Sequence, residues 1–207
     1  PRGLLAFDSF LSFYVCFREG FLTMLSDVIK RYGGKKMDPL DVYKDIFRIG
    51  EGFIQKEYED SGRFKANPIA YYKNENEEHG HFRIMFEDKF EEIYRNELVN
   101  ADFCVMNGLT YFGAKYTSDR ASKMCAMIFD IDGVTDNSLN NFFYAAFNKE
   151  FDYYPLPNYV ALSGHGVHLY YVFEEPVPLF PNLKLQLKEF KYSLTEKMWN
   201  KNTSVDE

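Results

Sequence analysis

Cysteine is scarce in this chain of 207 residues. The three cysteines, Cys16, Cys104 and Cys125, lie on apolar segments and show no short paired spacing. The sequence therefore contains neither a disulfide framework nor a four-cysteine zinc site. Such cysteine usage is typical of a reducing compartment, and we expect a cytoplasmic protein.

Basic residues are also fewer than acidic ones. The chain has 24 Lys and Arg against 31 Asp and Glu, which gives a formal net charge of −7. This balance argues against a domain that holds nucleic acid by bulk electrostatics alone, because phosphate contacts depend on Lys and Arg. It does not exclude a metal-dependent nucleotide enzyme, since bound cations would offset an acidic cluster locally.

An uninterrupted apolar run that could span a membrane is missing as well. The most apolar stretch, residues 4–25, contains Asp8, Arg18 and Glu19, and no basic leader precedes it. We interpret this stretch as part of a buried amphipathic helix and expect no membrane partner. The first residue is Pro1 rather than Met, which favours a fragment or a processed product.

Aromatic residues are plentiful, with 21 Phe and 16 Tyr. Core packing is the ordinary use of so many rings, and stacking on nucleic-acid bases is the rarer one. With 46% hydrophobic residues, the chain can bury one core, or one core with a smaller appended layer.

Hydrophobic spacing divides the chain into two predicted parts. Residues 1–100 are predicted to be mainly helical, with helices over residues 4–31, 39–49 and 87–99 and a polar connector over residues 51–80. Residues 101–207 are predicted to hold, in order, a strand (123–132), a helix (138–149) capped by Asp136 or Asn137, two strands (159–163 and 167–174) and a helix (183–199). We therefore predict an α/β (α+β) protein whose RRM/ferredoxin-like β-α-β-β-α core lacks a final strand at its C-terminus.

Two aspartates, Asp130 and Asp132, end the predicted strand within the segment MIFDIDG, residues 127–133. Side chains alternate along a strand, so both carboxylates lie on one face, about 7 Å apart. They would repel each other in a partly buried site unless a bound Mg²⁺ or Mn²⁺ relieved the repulsion. The pair therefore predicts a divalent-metal site. The alternative is a strand end whose aspartates cap the next helix or turn.

A second motif follows in the segment ALSGHGVHLY, residues 161–170. It has the form of a strand, a glycine turn and a second strand, on which His168 lies on the polar face. Gly164 and Gly166 leave the backbone flexible enough for an anion to approach closely. Together the two motifs indicate chemistry that combines divalent metal with phosphate.

These motifs resemble those of the archaeo-eukaryotic primase superfamily, in particular the primase-polymerases of plasmids, phages and integrative elements. That family has an Asp-x-Asp or Asp-x-Glu pair, a small-x-His motif and a further carboxylate after a hydrophobic residue. Asp130 and Asp132 match the first motif, and the segment from Gly166 to His168 matches the second. Asp206, which follows a valine, has the form of the third. The resemblance covers about residues 107–207.

The resemblance implies template-directed nucleotidyl transfer, by a primase or DNA polymerase that replicates a mobile element. It implies that Asp130, Asp132 and Asp206 hold two divalent ions, Mg²⁺ or Mn²⁺. It also implies that His168 contacts the triphosphate, helped by the glycine turn, which contains Ser163, Gly164, His165 and Gly166. The expected partners are NTP or dNTP, single-stranded DNA template or primer-template, and a helicase or replication-initiation domain.

Basic and aromatic residues just before the catalytic strand are further candidates. Lys115, Arg120 and Lys123 could steer triphosphate or template. Tyr111, Phe112 and Tyr116 could stack on a base or sugar. The alternative for both sets is a solvated loop with ordinary packing aromatics.

Two other functions stay open. The segment FDIDGV, residues 129–134, resembles the first motif of haloacid-dehalogenase-like phosphatases, in which Asp130 would be the nucleophile and Asp132 a general acid/base. Only 75 residues follow Asp132, and no Asp-Asp or Gly-Asp pair follows a lysine to complete that metal site. The other alternative is a non-catalytic, RRM-like nucleic-acid-binding module. A metal site built from His79, His81 and Cys104 lacks a fourth ligand, and an exposed loop is the preferred interpretation.

Overall fold

The computed structural model describes residues 12–15, 22–58, 65–148, 155–162 and 166–198. Its contacts divide the chain into two compact units. The first unit comprises Pro1–Met37, Phe129–Tyr170 and Leu194–Glu207, and the second comprises Asp38–Ile128 and Tyr171–Ser193. Each unit takes chain from both sides of residue 100, which differs from the predicted division into residues 1–100 and 101–207.

The described residues form a mixed α/β structure. The strands are β1 (Ser12–Val15), β2 (Lys35–Lys36), β3 (Ile69–Lys73), β4 (His81–Ile84), β5 (Phe103–Met106), β6 (Leu109–Tyr111), β7 (Ala121–Asp132), β8 (Tyr159–Leu162) and β9 (Gly166–Pro178). The helices are α1 (Leu22–Arg31), α2 (Pro39–Ile46), α3 (Phe90–Ile93), α4 (Asp136–Phe147) and α5 (Pro181–Met198). A 3₁₀ turn at Glu87–Lys89 precedes α3, and a π turn at Tyr94–Leu98 follows it.

In the first unit, the strands lie in the order β2-β1-β8-β9-β7. Strand β1 pairs in parallel with both β2 and β8, whereas β8 pairs antiparallel with β9. All four residues of β8 are buried, which explains its apolar sequence YVAL. The ring of Tyr32, which follows α1, packs on Phe143 of α4 with 5.4 Å between centroids. The hydroxyl of Tyr32 donates to the backbone oxygen of Asn140 at 3.2 Å.

In the second unit, β4, β3 and β5 form an antiparallel sheet with β3 in the centre. Strand β6 pairs antiparallel with the first part of β7. Helix α2 starts where its physical signals predict: the side chain of Asp38 accepts from the backbone nitrogen of Leu40, and Pro39 occupies the first turn. Glu87 accepts hydrogen bonds from the backbone nitrogens of Gly50 and Gly52 at 3.2 and 2.8 Å, and thereby ties down a loop.

Three parts of the predicted fold are wrong. Residues 12–15 were expected within a long helix and instead form β1, because pairing on both sides, with β2 and β8, outweighs the helical spacing of apolar residues. The polar connector over residues 51–80 contains β3, whose residues Ile69 and Ala70 are buried. With β1 to β4 present, the part before residue 100 is mixed and not mainly helical.

The predicted elements around the site motifs are confirmed with shifted ends. The strand ending at Asp132, the following helix and the two strands after it appear as β7, α4, β8 and β9, and the last helix appears as α5. The predicted cap of α4 is wrong. Thr135 caps this helix: its side chain accepts from the backbone nitrogen of Ser138, and the Ser138 hydroxyl accepts from the backbone nitrogen of Thr135.

Membrane-spanning segments were not expected from the sequence. Among the residues that the structure describes, no helix is both long enough and apolar enough to cross a membrane.

Candidate active site

The aspartate pair lies at the exposed end of β7. Asp130 and Asp132 are exposed, and the side chain of Asp130 retains 64% of its accessible surface. Phe129, between two outward positions, is buried at 4% exposure. This alternation is what an extended backbone produces when one face of a strand contacts the core. The strand end therefore presents carboxylate oxygens to solvent from a rigid support.

His168 is brought to the same place by β9, which lies next to β7. Its Nε2 atom is 3.0 Å from Oδ1 of Asp130, and its side chain is 26% exposed. The flanking residues Val167 and Leu169 are buried, at 1% and 0% exposure, so β9 is anchored on both sides of the imidazole. On its other edge β9 pairs with β8, with His168 opposite Ala161. The structure thus places His168 in direct contact with Asp130.

Gly166 sets how closely β9 approaches the aspartate pair. A Cβ atom placed on this glycine would lie 2.0 Å from the carbonyl oxygen of Ile131 and 2.9 Å from the Cα atom of Asp132. Distances this short are incompatible with a side chain. Glycine is therefore required at position 166 for packing, in addition to any role in admitting an anion.

Two features hold the chain just after Asp132. Gly133 has φ of +67°, in the left-handed region that glycine adopts at little cost. The Thr135–Ser138 capping box then starts α4. The turn from strand to helix is thus defined by local backbone chemistry, and it fixes the direction in which β7 ends.

The chemistry of the donors suits a hard cation. Carboxylate oxygens are the preferred ligands of Mg²⁺ and Mn²⁺, and Mg²⁺ is commonly held by one or two carboxylates plus substrate phosphates. Asp130 and Asp132 supply such a pair. The described part of the chain contains no group of three or more His, Cys, Asp or Glu side chains that could enclose a metal by themselves. Asp130 and Asp132 could therefore supply two oxygen ligands to such a cation, and the remaining ligands would have to come from elsewhere.

Four of the predicted site residues cannot be placed. Ser163, Gly164, His165 and Asp206 lie outside the described residues. The glycine turn and the third carboxylate therefore stay predictions.

The predicted basic residues lie on the second unit. Lys115 and Arg120 are exposed on the segment between β6 and β7, where Nε of Arg120 is 3.5 Å from Oδ2 of Asp119. The Nζ atom of Lys123 lies 4.7 Å from the centroid of the Phe53 ring. Lys115 and Arg120 have the exposure that a phosphate contact needs.

Two of the aromatic candidates pack inside the second unit. Tyr111 is buried at 3% exposure, and its ring centroid is 4.9 Å from that of Tyr116. The side-chain nitrogen of Asn107 donates to both hydroxyls, at 2.6 and 2.7 Å. Burial raises the pKa of Tyr111 to about 12. The stacking role considered for Tyr111 is therefore wrong, because no base could reach its ring.

The histidines of the 79–81 segment have no metal cluster around them in the described residues. His79 is highly exposed, and Nε2 of His81 is 3.3 Å from Oε1 of Glu77. His79 precedes β4 in the chain, whereas His81 is the first residue of that strand, so only part of the 79–81 segment is the loop that was expected.

Sequence reasoning missed the roles of Thr135 and Asn107. The pattern Thr-x-x-Ser before an apolar run is a capping signal and could have identified Thr135. The dipeptide Asn107-Gly108 is a turn signal, but it does not indicate that Asn107 donates to the hydroxyls of Tyr111 and Tyr116.

Comparison with known proteins identifies no relative: no family model, no curated protein and no solved structure matches this chain.

Proposed function

We propose that Asp130, Asp132 and His168 form the metal- and nucleotide-binding site of a template-directed nucleotidyltransferase of primase-polymerase type. The observation that carries the proposal is the 3.0 Å contact between His168 and Asp130, which joins the two motifs on adjacent strands. Both motifs were identified from sequence as parts of one phosphate-and-metal chemistry, and their contact supports that link.

The strand order supports a ferredoxin-like core for this site. Strand β9 lies between β7 and β8, although β7 and β8 precede it in the chain with α4 between them. A strand inserted between the two strands of a β-α-β unit is the defining feature of the split β-α-β pattern. We propose that β7, α4, β8, β9 and α5 form this core.

In the proposed reaction, Asp130 and Asp132 provide oxygen ligands for Mg²⁺ or Mn²⁺. The bound ions would activate the attacking hydroxyl and stabilise the departing pyrophosphate in an in-line displacement. With Asp130 engaged by the metal, Nε2 of His168 would be released from its contact with Oδ1 and would donate to a phosphate oxygen of NTP or dNTP instead. Gly166 keeps β9 close to Ile131, so that the imidazole and the carboxylates stay within reach of one triphosphate.

A template-dependent incorporation assay tests the proposal. The protein is incubated with single-stranded template, with and without primer, labelled NTP or dNTP, and Mg²⁺ or Mn²⁺. We expect a product that disappears with a chelator and falls about a thousandfold in the Asp130→Asn/Asp132→Asn variant, because removing metal ligands removes several kcal/mol of transition-state stabilisation. His168→Ala should reduce product formation by a smaller factor than the double variant does, and it should mainly raise KM for the nucleotide.

Asp27→Asn is the matched control, since Asp27 is an exposed aspartate of the same unit paired only locally with Lys30 at 3.1 Å. Its activity should equal that of the parent. Product that persists in the double variant would contradict the proposal. Phosphoenzyme trapped by acid quench would favour the phosphatase alternative. Nucleic-acid binding that survives both chelation and Asp130→Asn, without any incorporation, would favour the non-catalytic module.

A further inference from the structure

The three-stranded sheet of the second unit carries three aromatic side chains on one face. Tyr71 of β3 lies directly opposite Phe82 of β4, and Val105 of β5 lies opposite Tyr71. Because side chains alternate along β5, Phe103 shares the face of Val105 and therefore of Tyr71. The Tyr71 centroid is 5.2 Å from that of Phe82 and 6.1 Å from that of Phe103. We call Tyr71, Phe82 and Phe103 the aromatic face.

The aromatic face is exposed at Phe82 and Phe103, although Ile69 on the same face of β3 is buried. Phe82 and Phe103 are 55% and 54% exposed, while Ala70 and Met106, whose side chains point the other way, are fully buried. Contiguous exposed apolar surface of this kind marks interaction sites more often than scattered single residues do. Tyr71 lies directly against Gly80, where an added Cβ would come within 2.2 Å of the tyrosine hydroxyl oxygen. The central ring is therefore held in position before any partner arrives.

Carboxylates surround one end of the aromatic face. Asp102 immediately precedes Phe103, and its Oδ2 accepts from the backbone nitrogen of Glu75 at 2.8 Å. This bond holds the 74–78 segment, which also contains Glu77 and Glu78, beside the start of β5. The lysine of this end, Lys73, donates to the backbone oxygen of Glu78 at 3.2 Å. This end of the face therefore has one lysine and four carboxylates, those of Glu75, Glu77, Glu78 and Asp102.

The balance of charge selects between the macromolecules that aromatic faces bind. Single-stranded nucleic acid stacks its bases on such rings, but it also needs cations along its phosphates. At the end of the face beside Phe103, the surrounding charge is negative and would repel phosphates. Arginine and lysine, in contrast, gain both from carboxylates and from the faces of aromatic rings.

We propose that the aromatic face binds an extended basic segment of a partner protein, with arginine side chains over Phe82 and Phe103 and neighbouring cations paired with Glu75, Glu78 and Asp102. This surface lies on the second unit and does not depend on the nucleotidyl-transfer proposal. It gives the protein a protein-binding surface in addition to its candidate active site.

Fluorescence anisotropy tests this surface. The probes are a short fluorescein-labelled peptide of alternating arginine and threonine, the same peptide with glutamate in place of arginine, and labelled oligo-dT. We expect the arginine peptide to bind, the glutamate peptide not to bind, and the affinity of the arginine peptide to fall as salt rises. Phe82→Ala/Phe103→Ala should weaken it about tenfold, and Glu75→Gln/Glu78→Gln should weaken it and reduce its salt dependence.

Phe190→Ala on α5 is the matched control, because Phe190 has the same 55% exposure as Phe82 and lies in the same unit. It should leave the affinity unchanged, and circular dichroism should be the same for all variants. The proposal is overturned if the arginine peptide does not bind, or if Phe190→Ala weakens it as much as the double variant does. It is also overturned if Phe82→Ala/Phe103→Ala weakens binding of oligo-dT and not of the peptide, which would make the face a nucleic-acid platform.

Discussion

Two polar clusters, one in each unit of this protein, differ in their exposure. In the first unit, Asp130 is largely exposed on a strand and contacts His168 at 3.0 Å. In the second unit, the hydroxyl of the buried Tyr111 is bonded to Asn107, which also accepts from the backbone nitrogen of Leu109 at 3.1 Å. A buried polar cluster that bonds to itself serves the fold. Exposed charges held on rigid strands remain able to bind a ligand. The comparison distinguishes polar groups that a ligand could reach from polar groups that bond within the fold.

The largest effect on stability is expected from adding a side chain between β9 and β7. Gly166→Ala places a methyl group 2.0 Å from the carbonyl oxygen of Ile131, so the strands must move apart or the region must lose its packing. We expect a loss of about 3 kcal/mol in the free energy of unfolding, with the candidate site disrupted as well. Urea denaturation and hydrogen exchange of the 166–170 segment measure it.

Gly133→Ala is the control for that substitution, because a Cβ there meets nothing within 4 Å and only its φ of +67° is unfavourable. It should cost about 1 kcal/mol. Equal losses for the two variants would show that the approach of β9 to β7 is not tight, and would weaken the distinction between the two units.

A smaller loss is expected from the polar cluster of the second unit. Asn107→Ala removes the donor to the hydroxyls of Tyr111 and Tyr116 and leaves at least one buried oxygen without that bond. We expect about 2 kcal/mol of destabilisation by urea denaturation. Asn141→Ala, at an exposed position of α4, should stay within about 0.5 kcal/mol of the parent. If Asn107→Ala is as mild as Asn141→Ala, the bonds of Asn107 do not stabilise the fold.

The last prediction concerns the thiol of Cys125 on β7, whose ionisation has the smallest effect on stability at neutral pH. Burial raises the pKa of its thiol to about 12 from an ordinary value of 9.0. The stability that this group contributes is complete below about pH 9 and is lost as the pH rises toward 12. At pH 8 the folded protein should alkylate at Cys125 about a thousandfold more slowly than the unfolded chain, because the thiolate is that much rarer.

Iodoacetamide labelling followed by peptide mass spectrometry, with and without urea, measures this rate. Cys104 in the same sample is the internal control, since it is only half-buried and should react sooner. Equal labelling of the two thiols in the folded protein would show that the core of the second unit opens readily.

The regular spacing of hydrophobic residues made much of the secondary structure of the first unit predictable. The alternation around Asp130 predicted which side chains of β7 face solvent, and the buried run of β8 identified a strand. Strands β3, β5 and β6 were missed because each is short and its apolar residues do not alternate over a long enough stretch. β1 was misjudged because apolar residues recur at helical spacing over the whole stretch of residues 4–31, and only pairing with β8 decides between helix and strand.

The candidate site was predictable as two separate motifs and not as one place. Asp206, Ser163, Gly164 and His165 remain predictions, and the basic pair Lys115 and Arg120 is shown to be exposed on the second unit. The packing role of Gly166 could not be derived from sequence, because the atoms it avoids belong to a strand far away in the chain. Spacing along one segment carries no information about which other segment lies beside it.

By itself, the sequence determined that Asp130 and Asp132 point the same way, since any extended backbone alternates its side chains. It also determined that the net charge is negative and that β8 would be buried. Only the tertiary structure decided that His168 meets Asp130, because this requires β9 to lie between β8 and β7. It likewise decided that Tyr111 faces inward while Phe82 faces solvent. Such choices depend on which strands pair, and pairing is a property of the whole fold.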